Sequence, residues 1–589
     1  MTNLNKFIGT SFATLALTVG LAGCGLTPTP FETAKPEEST QTPVNTNEPQ
    51  TTEQPTTVAP EPVEKTDAGN SLVMTDMAAE TEGYAYPYPV TDYNTEEYAA
   101  VEESGFVSTK STPLSTVSAD VDTASYANLR RMLREGYRVA SDKDAKAAEE
   151  KKRQEEDSMY WDEDWYYEAE HVIPAGAVRI EEMLNYFDYG YAKPEGSDGF
   201  AISARVGSCP WNKDTNLLVL GYATPAEDPS VRAKGSNLVF LIDTSGSMDD
   251  PDKLPLLQSS FGELVENLGE KDRISIVTYS GTEEVVLEGE SGANHQEIMK
   301  AIRGLKAHGS TNGEAGLRMA YDIAEKNRIE GGVNRIVMAS DGDLNVGMTS
   351  ESDLHDFVEK KREGGVYLSV LGFGAGNFKD TKMETLADDG NGSYHYIDCE
   401  DEAKRVFGER LCANLVPFAN DVKVQVEFNP AQIKGYRLVG YENRTMAAED
   451  FTNDEKDAGE VGPESQFTVV YEIVPADSAM EIPVPDLKYE AKDAQTSGTD
   501  DWLTAKLRYK PLDGGDVKEQ ELVVSKTDFA DDPGDDWRFA AAVTEFGMIL
   551  RNSEYKGSST YATVRELVGT TTDEVRLGFL ALVDMAEKN

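Results

Sequence analysis

The 589-residue sequence predicts an α/β protein built on a doubly wound, mostly parallel sheet. Three observations lead there. Apolar runs of strand length at 238–242, 274–279, 335–339, 366–372 and 394–397 alternate with helical stretches near 253–268, 296–305, 313–327, 353–361 and 380–387. The first and third of these runs end in an acid, Asp243 and Asp341. Hydroxyl- and glycine-rich turns then open the helices, as Ser245, Gly246 and Ser247 do after Asp243, and Gly309 to Gly313 before the helix at 313. Parallel strands buried on both faces read as apolar runs, and ligands bind where such strands end.

The polar residues at those ends form a set. Asp243, Ser245 and Ser247 follow the first run at alternate positions, Thr311 lies in the Gly-rich turn, and Asp341 ends the later run. Two carboxylates and three hydroxyls make an all-oxygen site suited to a small, hard divalent cation. Mg²⁺ fits best, with Mn²⁺ or Ca²⁺ as alternatives. In a plainer reading Ser245 and Ser247 cap the next helix and Asp341 starts a turn. The three segments in this order resemble a von Willebrand factor type A domain with its metal-ion-dependent adhesion site. That resemblance implies that Ser245, Ser247 and Thr311 coordinate the metal, and that Asp243 and Asp341 bind it directly or through water. It also implies a Rossmann-like fold over 235–416, and a partner's Asp or Glu as the ligand that completes the coordination sphere. Asp249, Asp250 and Asp343 crowd the site in sequence and read as rim acids.

The flanks carry their own signals. Residues 1–23 read as a signal peptide, with Lys6 followed by a short apolar stretch. Leu21-Ala22-Gly23-Cys24 resembles a bacterial lipobox, which implies cleavage before Cys24 and lipid on its thiol. Residues 24–110, rich in Thr, Pro and Glu in their first half, are expected to be a disordered tether. An α+β N-terminal flanking domain is expected over 111–230, with a charged insertion at 141–172. Within it Asp120-Val-Asp122-Thr-Ala-Ser125-Tyr126, Arg179-Ile-Glu181-Glu182 and Cys209-Pro210-Trp211 resemble the region that accompanies one bacterial branch of type A proteins. Asp120 and Asp122 are expected to end a strand and cap a helix, with metal binding as the alternative. A β-rich and helical domain is expected over 417–589, where Tyr436 to Arg444 resembles the C-terminal region of the same branch. Cys209, Cys399 and Cys412 are odd in number, and their pairing stays open.

Charge bounds the function. The chain has 55 basic and 106 acidic side chains and a formal net charge of −51, which opposes nucleic acid and anionic membrane surfaces. Catalysis on Mg²⁺ would ask for a base or a second metal. Of the five His, none begins an H-E-x-x-H, and only His308 lies close in sequence to Thr311. The expectation is therefore a lipid-anchored, extracytoplasmic membrane protein that is not an enzyme and binds an acidic residue of a protein partner through its metal. The alternative is an extracytoplasmic scaffold or assembly factor with a structural metal site. A metal-dependent hydrolase ranks last.

Overall fold

The computed structural model describes residues 95–141, 144, 171–194, 199–226, 233–342, 351–482, 499–512 and 515–589. All of them lie in one unit, Tyr88–Asn589. Cys24, the signal peptide, most of the tether, most of the 141–172 insertion and Asp343 lie outside the described residues.

In chain order the first part contributes β1 (Val107–Ser108), β2 (Leu114–Ser118), α1 (Ala124–Arg134), α2 (Ile180–Asn185), β3 (Ala201–Ser208) and β4 (Asn216–Ala223). The middle contributes β5 (Ser236–Asp243), α3 (Leu254–Glu266), β6 (Arg273–Tyr279), β7 (Glu283–Ser291), α4 (His295–Gly304), α5 (Gly313–Lys326), β8 (Val333–Ser340), α6 (Glu351–Glu363), β9 (Tyr367–Phe373), α7 (Asp380–Asp389) and β10 (Tyr394–Ile397). The last part contributes β11 (Ala419–Phe428), β12 (Ile433–Val439), β13 (Thr445–Met446), β14 (Gly459–Val461), β15 (Gln466–Pro475), β16 (Asp501–Pro511) and β17 (Lys518–Ser525), then α8 (Asp535–Leu550), α9 (Tyr561–Val568) and α10 (Glu574–Lys588).

The middle part is the expected α/β layer. Its sheet has the order β10-β9-β8-β5-β6-β7, parallel throughout except for β7, which pairs antiparallel with β6 at the edge. β7 escapes the sequence reading because Glu283, Glu284, Glu288 and Gly289 interrupt its apolar run and its outer edge meets solvent. One face is covered by α3 and α4 through Leu257, Phe261, Leu264, Ile298 and Ile302, and the other by α5, α6 and α7 through Leu317, Tyr321, Val358, Met383 and Leu386. β5 lies between β6 and β8, and its Leu238 to Ile242 are buried. This central place puts the carboxyl end of β5 between those of β6 and β8.

The two flanks depart from the expectation of separate domains. β4 pairs antiparallel with β15, with Val219 opposite Val470, and β2 pairs with β11, with Val117 opposite Val424. The resulting sheets, β1-β12-β15-β4-β3 and β13-β2-β11-β16-β17, each mix strands from both ends of the chain. They enclose one apolar layer that includes Leu218, Leu220, Val424, Val426, Phe467 and Tyr471. The helices α1, α2, α8, α9 and α10 form a further core with the sheet residues Leu217, Val219, Val439 and Val470. The α/β part is thus an insertion between β4 and β11 of a single sandwich. Strand alternation marks each strand locally but carries no record of a partner some 250 residues away.

Two further corrections concern the N-terminal side. Residues 95–97, expected to belong to the tether, are held against the α/β part: Thr95 N donates to Gly376 O (2.7 Å) and Glu97 N to Phe378 O (2.9 Å). Asp120 and Asp122 do not cap α1, whose Ncap residue Thr123 makes no side-chain cap bond. Asp120 Oδ1 instead accepts from Asp122 N (2.8 Å), and Asp122 Oδ1 accepts from Tyr394 N of β10 (2.8 Å).

Candidate metal centre at the end of the central strands

The apolar run of β5 stops at Asp243, and the chain turns sharply through Ser245 into a 3₁₀ turn, Gly246–Asp249. Asp243 is fully buried, and Asp341, just beyond β8, is 1% exposed. Asp243 Oδ1 accepts from Ser245 N (2.8 Å) and its Oδ2 from the Ser340 hydroxyl (3.3 Å). Ser245 makes no side-chain cap bond, although it is the Ncap residue of that turn. Its hydroxyl lies 3.0 Å from the Ser247 hydroxyl. The capping alternative for Ser245 therefore does not describe the structure.

Thr311 comes from a different segment, the loop between α4 and α5. That loop is fastened to the same end of the sheet: Gly246 N donates to Gly309 O (3.1 Å) and His308 N to Thr244 O (2.7 Å). Thr311 itself is half-buried. The His308 side chain is exposed.

Electrostatics at the site favour a cation. Burial, with the Asp341 charge adding to it, pushes the Asp243 carboxyl up to about 6, against the backbone and hydroxyl bonds from Ser245 that favour its ionised form. Burial and the Asp243 charge hold the Tyr279 phenol well above its usual range. Two buried carboxylates near two paired hydroxyls fit a hard divalent ion in donor chemistry.

Sequence reasoning missed Lys253. Its Nζ lies 3.1 Å from Asp341 Oδ2 and 3.6 Å from Asp250 Oδ2, with the side chain 5% exposed. In sequence it reads as a solvent-facing lysine at a helix start, and nothing local marks it as buried. Ser340 also went unmarked, since its hydroxyl acts only once the ends of β5 and β8 lie side by side.

A central strand between parallel neighbours, ending in an acid and a Ser-Gly-Ser turn, defines a von Willebrand factor type A domain. The family model for that domain matches residues 237–409. A second model, described as "von Willebrand factor", matches 92–151 and 165–219, and a third, "Uncharacterized protein YfbK, C-terminal", matches 413–588. The chain belongs to the family of Uncharacterized protein YfbK of Escherichia coli (strain K12), with which it is 35% identical over 511 residues, 85% of this chain and 82% of that protein. It is also similar to Uncharacterized protein sll0103 of Synechocystis, at 30% over 190 residues, 32% of this chain and 44% of that one. Similarity to inter-alpha-trypsin inhibitor heavy chain H4 of Sus scrofa is 28% over 225 residues, 37% of this chain and 22% of that one. Among solved structures, a von Willebrand factor type A protein from Catenulispora acidiphila aligns at 15% identity and a TM-score of 0.37, over 68% of this chain and 91% of that one. Type A domains mediate protein–protein interactions and typically bind a divalent metal in the adhesion site.

Proposed function

We propose that this protein binds an acidic side chain of a protein partner through a divalent cation, Mg²⁺ in the first instance, held by Asp243, Ser245, Ser247, Thr311 and Asp341. The observation that carries the reading is the placement of the buried Asp243 and Asp341 with the Ser245–Ser247 hydroxyl pair at the carboxyl end of the central strands. Bound there, the metal supplies a Lewis-acidic position for an oxyanion. The protein's residues supply the rest. Asp243 and Asp341 provide the charge, the hydroxyls provide neutral donors, and Ser340 and the Ser245 N–H hold Asp243 in one orientation. Lys253 already offsets part of the Asp341 charge and the hydroxyls carry none, so a carboxylate from outside would complete the neutralisation of the cation. The proposed setting is the outer face of a membrane, with lipid on Cys24 as the anchor.

A second reading has a specific observation behind it. Lys253 already places an ammonium against Asp341, which fits a scaffold whose acids are neutralised from within and whose metal is structural. Titration calorimetry with Mg²⁺ tests the first reading. The wild-type chain is expected to bind one ion, and Asp243→Ala or Thr311→Ala to lose it while keeping the fold. Undiminished affinity in Asp243→Ala would reject the site.

A further inference from the structure

The loop between β9 and α7 supports Asp341 from two sides. A Cβ placed on Gly342, the residue after Asp341, would lie 2.4 Å from Lys379 N. A Cβ on Gly374 would lie 2.3 Å from Lys253 Cε, and Lys253 is the cation paired with Asp341. Both the backbone following Asp341 and the side chain that pairs with it therefore lean on residues 374–379.

The opposite side of that loop is clamped by residues 95–97. Thr95, Glu96 and Glu97 run parallel to it, with Glu97 opposite Lys379. Thr95 N donates to Gly376 O (2.7 Å), Glu97 N to Phe378 O (2.9 Å), and Asp380 N to Glu97 O (3.1 Å). The Thr95 hydroxyl donates to Asn377 Oδ1 (2.8 Å). Glu96 ties this strap to both neighbours. Its Oε1 accepts from Gly376 N (2.9 Å), and its Oε2 accepts from Arg131 Nη2 of α1 (2.9 Å) and from the Tyr98 hydroxyl (2.7 Å). The Glu96 side chain is 4% exposed. A carboxylate buried this far, bonded at both oxygens, is costly to disturb.

We propose that the strap Thr95–Glu97, with Glu96 as its positioning residue, sets the metal affinity of the site by fixing the loop that holds Asp341. The inference rests on the metal-site reading above. Mg²⁺ demands near-ideal octahedral geometry at about 2.0–2.1 Å, so small displacements of one acid are felt. Loss of outer partners of metal ligands typically costs about 10–100-fold in affinity, and the strap acts one layer further out. By linkage the coupling is reciprocal: if the strap raises metal affinity, metal must stabilise the strap.

The test uses the full chain. Mg²⁺ titration calorimetry is run on wild type, Glu96→Ala, Glu96→Gln, Thr95→Pro and Asp243→Ala, with the melting temperature of each measured in EDTA. Glu96→Ala and Thr95→Pro are expected to weaken Mg²⁺ binding by roughly 3- to 10-fold. Glu96→Gln, which keeps an acceptor for Gly376 N, is expected to restore most of it. Hydrogen exchange supplies the reciprocal reading, with Mg²⁺ slowing exchange at the amides of Thr95, Glu97 and Asp380. Wild-type Mg²⁺ affinity in Thr95→Pro and in any folded Glu96→Ala protein, or unchanged exchange at those amides, overturns the strap and leaves the metal site standing. Undiminished binding in Asp243→Ala overturns the metal site itself, and the strap with it.

Discussion

Lys253 Nζ lies 3.1 Å from Asp341 Oδ2, and both side chains are buried. An ammonium in that place offsets the repulsion between Asp341 and Asp243 when no metal is bound. It also competes with a metal for the same oxygen. Replacing it by an isosteric apolar residue separates these effects. Lys253→Met is expected to melt below wild type in EDTA and to gain more from Mg²⁺ than wild type does. Melting curves in EDTA and in Mg²⁺ check this. An equal Mg²⁺-induced shift in both proteins would mean that Lys253 and the ion do not share Asp341.

The seam between the sandwich and the type A domain predicts a pH dependence. Asp120, Asp122 and Glu182 from the N-terminal flank face Asp380, Glu384 and Asp388 of α7, and Glu181 lies behind them, beside Asp120 and Tyr441. Arg179 pairs with Glu182, Asp380 and Glu384, and Arg444 with Asp122, Glu384 and Asp388. Tyr394 and Tyr441 face the same group, and Glu442 adds another acid, itself paired with Arg551. The guanidiniums of Arg179, Arg444 and Arg551 are outnumbered by the carboxylates around them, which leaves the seam short of positive charge. Burial, then the Glu442 and Asp120 charges, push Glu181 up to about 7. Burial first and Asp120 second raise Asp122, while Glu182 is raised by burial against its Arg179 pair. A carboxyl whose folded pKa exceeds its unfolded one keeps its full share of stability below the unfolded value. It loses that share as pH rises toward the folded value. The melting temperature is therefore expected to fall between about pH 5 and 8, by on the order of 1–3 kcal/mol of stability for Glu181 alone. Glu181→Gln, neutral at every pH, is expected to flatten the slope. An identical slope in that variant would remove Glu181 from the account.

Glycine 342 is expected to be irreplaceable for a reason that Gly376 does not share. Both have positive φ, +90° and +85°, which L side chains rarely adopt. A Cβ at Gly376 meets nothing within 4 Å, whereas one at Gly342 meets the Lys379 backbone. Gly376→Ala is expected to cost backbone strain alone, about 1 kcal/mol. Gly342→Ala is expected to cost more, about 2–3 kcal/mol, and to weaken Mg²⁺ binding as well. Chemical denaturation and calorimetry of the two variants check both statements, and equal effects would exclude the contact with Lys379.

The α/β layer was legible because its signals are local. Leu238 to Ile242 is an uninterrupted apolar run, and Asp243, Ser245 and Ser247 carry their chemistry within a few residues of its end. Lys253 was not legible, since its burial depends on Gly374 and Asp341, both remote in sequence. Nor were Thr95 to Glu97. They are held by backbone pairing to Gly376–Asp380 and by the Glu96 carboxylate, whose partners Gly376 and Arg131 are remote in sequence. The same holds for Asp122, whose partner Tyr394 lies on a strand of another domain. Arg437 of β12 and Glu472 of β15 pair on the sheet face covered by α8, where Arg437 also reaches Met548 and sequence reading showed only alternation.

The lipobox-like Leu21–Cys24 segment makes a separate prediction about location. Mass spectrometry of the mature protein is expected to show cleavage before Cys24 and lipid on its thiol, and Cys24→Ser to release the protein or leave it unprocessed. An unmodified Cys24 in the mature chain would defeat the anchor.

Salt dependence separates a metal-bridged contact from charge attraction. The net charge of −51 opposes an acidic partner at long range, more strongly at low ionic strength. A bridge through the ion at Asp243 and Asp341 acts at about 2 Å and is screened little by monovalent salt. Moderate salt should then spare or strengthen association, because it weakens only the repulsive background, and chelator should abolish it. A basic partner held by the acidic surface behaves in the opposite way: salt weakens binding and chelator has little effect. The two are told apart by titrating NaCl against partner binding in Mg²⁺ and again in EDTA, with Asp243→Ala as the control that lacks one acid of the site. Affinity that falls with salt in Mg²⁺ and is unchanged by EDTA would leave the buried pair Asp243 and Asp341 without a role in adhesion.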